Sequence, residues 1–315
     1  MSWFHSATNQ TMTMNHIIRR TLPLVLLIFF GLIFSSIASA QSGSFVVRPA
    51  KVELTGAPGK TLEATISLKN ELGSPATFAI SFEDVIGSEN PNDPVTLLGG
   101  KRGPYPLRDL LRGPRTVSLL DGEEKRISIT LAIPPDASPG GLYGSVIFTP
   151  SRQNTVGNII PDSRIGVLLF LRIEGESIEE GTLKDFSYEG GRVVFGTPQK
   201  SSITTLLFEN TGTVHLNPYG VLSVAPLFGE ERITPIDPWY VLPKSARSRT
   251  IEVGDALSYG PNSLSLTLHR GYGEVTDVRT LRVWVFPSLR GMGITFAVFA
   301  VVLLLILRRG RMLHV

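Results

Sequence analysis

Three segments alternate apolar and polar side chains with a strict period of two. "TLEATISLKN" puts Leu62, Ala64, Ile66 and Leu68 on one face. "TFAISFED" does so with Phe78, Ile80 and Phe82, and "KRISITLAI" with Ile127, Ile129, Leu131 and Ile133. A period of two over five to nine residues is the mark of a half-buried antiparallel strand, because successive strand side chains point to opposite faces. Between these runs lie "GAPGK", "LGSPA" and "LDGEE", where Gly, Pro and Asp supply turn geometry. No long helical period occurs between residues 41 and 287. "YPLRDLLRG", Tyr105 to Gly113, is the best short helical candidate. Many short strands joined by turns predict an all-β chain built as β-sandwiches.

The ends of the chain read differently. "NHIIRRTLPLVLLIFFGLIFSSIASA" carries a basic pair, Arg19 and Arg20, then an apolar core from Leu22 to Ile37, then Ala38-Ser39-Ala40. Small residues after an apolar core of that length mark a secretory signal peptide over residues 1–40, cleaved before Gln41. Met12 or Met14 is an alternative start, and an uncleaved anchor is the alternative reading of the segment. Near the other end, Gly291 to Leu307 holds no charge over 17 residues and is followed by Arg308, Arg309 and Arg311. This predicts a single transmembrane helix over residues 288–308 and a cytoplasmic tail at 309–315, with Trp284 and Phe286 in the interfacial belt. The exported part would be residues 41–290.

The charge balance then changes meaning. Five of the 30 Lys and Arg lie in the end segments, while all 27 Asp and Glu lie between residues 41 and 290. The exported part is slightly acidic, so the basic isoelectric point does not imply nucleic acid. The chain has no cysteine. An exterior of about 250 residues buries enough apolar area without disulfides. Asn70, Asn154, Asn210 and Asn262 all fail the Asn-x-Ser/Thr pattern, which with the missing cysteine fits a bacterial surface protein.

"IPPDASPGGLYGSVIFTP", Ile133 to Pro150, tests whether enzyme chemistry is expected. A phosphate-binding loop needs Lys-Ser/Thr after its glycines, or Gly-x-Gly-x-x-Gly opening a helix. Here the glycines open an apolar, β-branched and aromatic run, and three prolines remove the backbone donors a phosphate would need. The stretch therefore reads as the end of one strand, a turn with Gly140 or Gly141 at positive φ, and a core strand carrying Tyr143, Val146 and Phe148. The unbroken run Val146-Ile147-Phe148 suits a central strand covered on both faces. His215 and His269 sit in strand contexts beside turns without a partner for base catalysis. No metal spacing is present, and "ENPNDP", Glu89 to Pro94, reads as a turn. Glu83-Asp84 and Glu179-Glu180 point to opposite strand faces and form no paired-carboxylate site. No cofactor, no metal and no enzymatic activity are expected.

A second set of strands follows "SRIGVLLFLRIEGE", which closes the first module, and the junction "SIEEGTLKDFSY". The segment from Ser201 to Val224 suggests two strands paired around Asn210-Thr211-Gly212, and "SLSLTLHRGYGEVTDVRTLRVWVFP" a hairpin turning at Gly271 to Gly273. The domains expected are a sandwich over 41–178, with a long loop at 87–115, and a second over 179–287.

"FVVRPAKVELTGAPGKTLEATISLKNELGSPATFAISFEDV" with "VSLLDGEEKRISITLAIPPDASPGGLYGSVIF" resembles the extracellular immunoglobulin-like module of bacterial WxL-interacting, peptidoglycan-associated surface proteins. The marks are the Pro-x-x-hydrophobic-x-hydrophobic opening, Asn70 ending a strand, Gly-Glu before "KRISITL", and the "PPDASPGGLYGSVIF" block. The resemblance covers roughly residues 45–175. It implies two tandem immunoglobulin-like sandwiches on a membrane anchor, with a wall polymer or protein as partner. More distantly the module is similar to the first domain of periplasmic pilus chaperones, which lack such an anchor.

Two surfaces are candidates for binding. The loop Gly87 to Arg115 is locally basic through Lys101, Arg102, Arg108, Arg112 and Arg115, with Tyr105 among them. Ile165, Val167, Leu169 and Leu171 alternate along a strand and form a candidate sheet edge. The expected function is a non-enzymatic, single-pass bacterial cell-membrane protein, with its N-terminal part exported, that binds a wall polymer or a protein. A membrane-tethered assembly chaperone using the sheet edge is the alternative, and an enzyme with an unrecognised site is the third reading.

Overall fold

The computed structural model describes residues 44–151, 163–197 and 202–312, with side chains described to Leu305 except at Thr295. The signal-peptide segment and the last three residues lie outside the described residues.

Alternation becomes strands where it was expected. The first ten are β1 (Ser44–Arg48), β2 (Lys51–Gly56), β3 (Thr61–Glu71), β4 (Ala76–Ile86), β5 (Thr96–Leu97), β6 (Leu111–Arg112), β7 (Thr116–Leu119), β8 (Glu124–Ala132), β9 (Gly140–Pro150) and β10 (Ile165–Ile173). One sheet has the order β1-β3-β8-β6. The facing sheet has β2-β10-β9-β4, with β5 and β7 both pairing with β4. Ala64, Ile66 and Leu68 from β3, Ile127, Ile129 and Leu131 from β8, and Phe78, Ile80 and Phe82 from β4 meet in one buried cluster. These are the residues on the apolar faces of the three alternating segments.

The next eight strands are β11 (Gly181–Tyr188), β12 (Val193–Phe195), β13 (Ile203–Asn210), β14 (Tyr219–Pro226), β15 (Arg232–Ile236), β16 (Ser245–Glu252), β17 (Gly260–His269) and β18 (Thr276–Phe286). They form sheets ordered β11-β13-β16 and β12-β18-β17-β14-β15, packed around a second buried cluster that includes Phe208, Leu222, Leu266 and Trp239. The hairpin through Gly271 and Gly273 forms as expected, with His269 opposite Thr276 and both glycines at positive φ. The pairing expected around Asn210 does not form. β13 pairs with β11 and β16, and β14 lies in the other sheet.

The reason is the Asn210 side chain. It is fully buried, its amide donates to the carbonyls of Val214 and Val241 at 2.8 Å each, and its oxygen accepts the Gly212 N–H at 2.8 Å. The chain is thereby carried across to the second sheet instead of folding back. Asn70 does the same at the end of β3. Its amide donates to Ser74, Leu119 and Leu120 carbonyls, and its oxygen accepts the Leu72 N–H at 3.1 Å. In both sandwiches the amide reaches the carbonyl four residues on, and the oxygen accepts the N–H two residues on. A buried amide serves here because it offers donors and an acceptor at once.

The helix α1 (Leu289–Met312) follows β18 after a two-residue link. Its described apolar side chains, among them Ile294, Phe296, Phe299 and Leu305, are exposed. Among the described residues, no helix is long and apolar enough to cross a membrane.

Two stability predictions follow from this packing. Phe148 is fully buried in the first cluster, so Phe148→Ala should lower unfolding free energy by about 3–5 kcal/mol in denaturant titration. Asn210→Ala strands two buried carbonyls and an N–H, so it should cost roughly 2–4 kcal/mol, with Asn210→Asp no better because a carboxylate cannot donate to the carbonyls. An unchanged midpoint in either variant would contradict the packing described.

Candidate functional site

The outer face of the sheet containing β4, β9 and β10 carries an apolar patch, and that patch is covered too. Val85, Tyr143 and Phe170 pack against Leu242 of the second sandwich, with Leu168, Tyr105 and Tyr240 beside them. Here the structure corrects the sequence reading. Val146 and Phe148 do lie in the first core, but Tyr143, three positions before Val146, takes the opposite strand face and belongs to the joint between the sandwiches.

The Gly140-Gly141 pair makes this joint possible. Gly140 has φ +141°, and the Gly141 N–H donates to the Thr213 carbonyl at 3.1 Å. A Cβ on Gly141 would lie 1.9 Å from the Tyr143 hydroxyl oxygen. That hydroxyl accepts the backbone N–H of His215 at 2.6 Å. The Tyr143 ring meets Tyr105, Phe170 and His215 edge-on at 6.0, 5.2 and 5.8 Å. The opening glycines are thus neither a phosphate cradle nor only a turn; they clear space for a tyrosine that joins two sandwiches.

Charge surrounds this joint. The Lys51 ammonium lies 4.9 Å from the Tyr240 ring centre, and Arg247 lies 4.3 Å from it on a cation–π contact. Glu53 pairs with Lys51 and, at 3.5 Å, with His215 Nε2. The His215 hydrogen bond, aided by Lys51 and opposed by partial burial, holds the Glu53 carboxyl down to about 2. Burial pushes the Tyr143 phenol well above its ordinary value. A tyrosine that stays neutral and a carboxylate already engaged by a cation and an imidazole suit a structural joint better than acid–base catalysis.

The long loop is organised by Glu83 and Asp84. They point to opposite faces of β4, as the sequence implied, and both are buried. Asp84 accepts the N–H groups of Gly103, Leu107 and Arg108 at 3.0, 3.1 and 2.9 Å. Glu83 accepts the Gly99 N–H at 3.1 Å and pairs with Arg164. Buried carboxylates are costly unless their lone pairs are filled, and loop backbone donors fill them here. The short helix expected at Tyr105 to Gly113 is a single 3-10 turn, Arg108–Leu110, with Leu107 and Leu111 buried at its ends.

The six loop residues singled out from sequence do not form one free basic patch. Arg102 and Arg108 share Asp109, at 3.3 and 3.7 Å. Arg108 also donates to the Gly100 carbonyl, and Arg112 to the carbonyls of Asp109 and Leu111. Arg115 covers the Phe82 ring, and Tyr105 is taken into the joint. Lys101, Arg102, Arg112 and Arg115 remain exposed.

The sheet edge needs a larger correction. β10 pairs with β9 on one side and, from Leu168 to Ile173, with β2 in parallel on the other. It is an inner strand there, because the chain leaves the first sheet after β1 and joins the second as β2. Among the described residues, Ile165–Val167 is the stretch of β10 with no strand paired on that side. Val167, Leu169 and Leu171 point into the core, with Ile165 packed at its margin. The free end meets the loop on one residue, since Arg164 and the Gly99 N–H share Glu83.

The remaining candidates settle simply. Glu89 to Pro94 is a turn closed by Asn90, whose amide donates to Asp93 and whose oxygen accepts the Asn92 N–H. His269 stacks on Tyr219 at 4.8 Å beside Thr276. Among the described residues no group of His, Asp and Glu is placed to hold a metal. The roles of Tyr143, His215 and Asn210 were not read from sequence; the glycine pair two residues before an aromatic was the only signal for the first.

Tyr143→Phe removes the acceptor for a buried N–H and should cost about 1–3 kcal/mol in thermal or denaturant unfolding. Gly141→Ala should cost more, because its Cβ and the Tyr143 hydroxyl claim the same space. Glu53 has a depressed folded-state value, so its contribution is complete above its unfolded value near 4.5 and is lost as pH falls through about 2. Glu53→Gln should flatten acid unfolding in that window and leave the neutral-pH slope unchanged; an unaltered acid limb would remove the carboxylate from the joint.

No family model and no curated protein sequence matches the chain. Solved structures similar to it include the class 5 fimbriae chaperone CfaA, at 11% identity and a TM-score of 0.39 over 76% of this chain and 99% of that one. The Pseudomonas aeruginosa CupB2 chaperone is similar at 10% identity and a TM-score of 0.34, over 75% and 99%. The E. coli chaperone DraB is similar at 14% identity and a TM-score of 0.33, over 76% and 98%.

Proposed function

We propose that the chain is a non-enzymatic bacterial cell-surface protein, exported by its N-terminal segment and held in the cell membrane by α1, whose paired sandwiches bind an anionic cell-wall polymer or a protein partner. The observation that carries this reading is the loop from Leu98 to Arg112. Two buried carboxylates and five groups bonded to them hold it in place, and Lys101, Arg102 and Arg112 lie exposed on it. A loop ordered before binding loses less entropy on contact than one that must fold onto its partner. The exterior is slightly acidic as a whole, so this basic rim is local and favours a negatively charged partner. The resemblance of residues 45–175 to WxL-interacting, peptidoglycan-associated proteins supports the same class of partner. Anchoring is read from the sequence: the described part of α1 is not by itself long and apolar enough to span, and the uncharged run Gly291 to Leu307, which continues past the last described side chain, supports the proposal together with the three arginines after it.

A second reading has its own support. The unpaired side of Ile165–Val167 offers backbone groups to an added strand, as an assembly chaperone would require.

Photo-cross-linking in producing cells separates the two. A cross-linker at Lys101 should capture wall material or one defined protein, and Arg102→Glu with Arg112→Glu should abolish that capture and the binding of the protein to isolated cell walls. Capture from Gly166 with none from Lys101, and wall binding unaffected by the charge reversals, would replace the first reading with the second.

A further inference from the structure

Most of the exposed aromatic residues of the two sandwiches gather at one end of the second. Among the described residues there are five: Phe195, Tyr219, Phe228, Tyr259 and Trp284. Pairing register places four of them together. Phe195 lies opposite Phe286 where β12 and β18 end. Tyr259 precedes Gly260, which pairs with Val285. Phe228 follows Leu227, whose N–H donates to the carbonyl of Pro261, itself opposite Trp284. Trp284 and Phe286 stack at 6.1 Å and 10°, and Phe195 stacks on Phe286 at 5.7 Å. Phe228 is 72% exposed and Leu227 61%.

This end is also where β18 runs into α1. Leu289 lies five positions after Trp284, so at about 3.3 Å per residue the indole lies within roughly 17 Å of the helix start along the chain. Between Arg192 and Arg282, beside Trp284, the same end carries an open hollow of about 500 Å³. Arg290 follows in the first turn of α1. Of the acids nearby, Glu231 is bonded to Ser223, and Glu230 is exposed.

We infer that this end of the second sandwich is a membrane-docking surface, in which the aromatic side chains enter the interfacial layer of an anionic phospholipid bilayer and Arg192 and Arg282 receive a lipid phosphate. The inference rests on α1 being the membrane anchor. Its physical basis is that aromatic rings partition to the headgroup boundary, while guanidinium groups pair with phosphate in two-pronged geometry. Docking would fix the orientation of both sandwiches over the membrane, since the Tyr143 joint links them.

The chain has no cysteine, so single positions can be labelled in the full protein. Phe228→Cys and, as a control on the first sandwich, the exposed Leu120→Cys carry an environment-sensitive fluorophore in vesicles of phosphatidylcholine and phosphatidylglycerol. Brominated acyl chains should quench the label at 228 several-fold more than the label at 120. Arg192→Glu with Arg282→Glu should reduce the difference, and so should omitting phosphatidylglycerol. Equal quenching at the two positions in protein that resists alkaline carbonate extraction would overturn docking and leave the anchor standing. Protein that carbonate removes from the vesicles would overturn both.

Discussion

The sheet formed by β2, β10, β9 and β4 has an apolar inner face and an apolar patch on its outer face as well, and the rest of the architecture answers that constraint. Its inner face is covered by the partner sheet of the same sandwich, as in any two-layer fold. Its outer face exposes Val85, Tyr143 and Phe170, which water would penalise. The second sandwich and the loop after β4 cover them, and the Tyr143 hydroxyl finds its partner in the His215 N–H. Dispersion and burial supply the attraction, while the hydroxyl, which is costly to bury unbonded, fixes where the second sandwich sits.

Buried polar groups do the remaining positioning. Asn70 and Asn210 end equivalent strands and send the chain across each sandwich. Asp84 and Glu83 hold the loop by its backbone N–H groups. In each case a small number of hydrogen bonds in a dry setting selects one path for a segment whose own sequence would allow several. The loop's arginines are largely engaged within the loop, while Lys101, Arg102, Arg112 and Arg115 still face outward. That distribution turns a general impression of basic character into a specific surface.

Function follows from where the chain leaves surfaces unfilled. The loop rim and the short unpaired length of β10 converge on Glu83, so a partner engaging one would lie near the other. The aromatic end of the second sandwich faces a different task, because it adjoins the helix rather than the loop.

The alternating segments determined by themselves that the chain would be all-β. They also determined which faces of β3, β4 and β8 would be buried, since a period of two admits only one apolar side. The run Val146-Ile147-Phe148 likewise announced a strand covered twice. What covered it was decided by tertiary structure alone: Tyr143 had to meet a backbone N–H 72 residues away, and no local pattern encodes such a pairing. The same holds for β10. Its alternation read as an edge, but whether a strand is an edge depends on a neighbour, and β2 becomes that neighbour only when the chain switches sheets between Arg48 and Lys51. Local sequence fixes which side chains face inward; the long-range hydrogen bonds that choose partners exist only once the chain has folded.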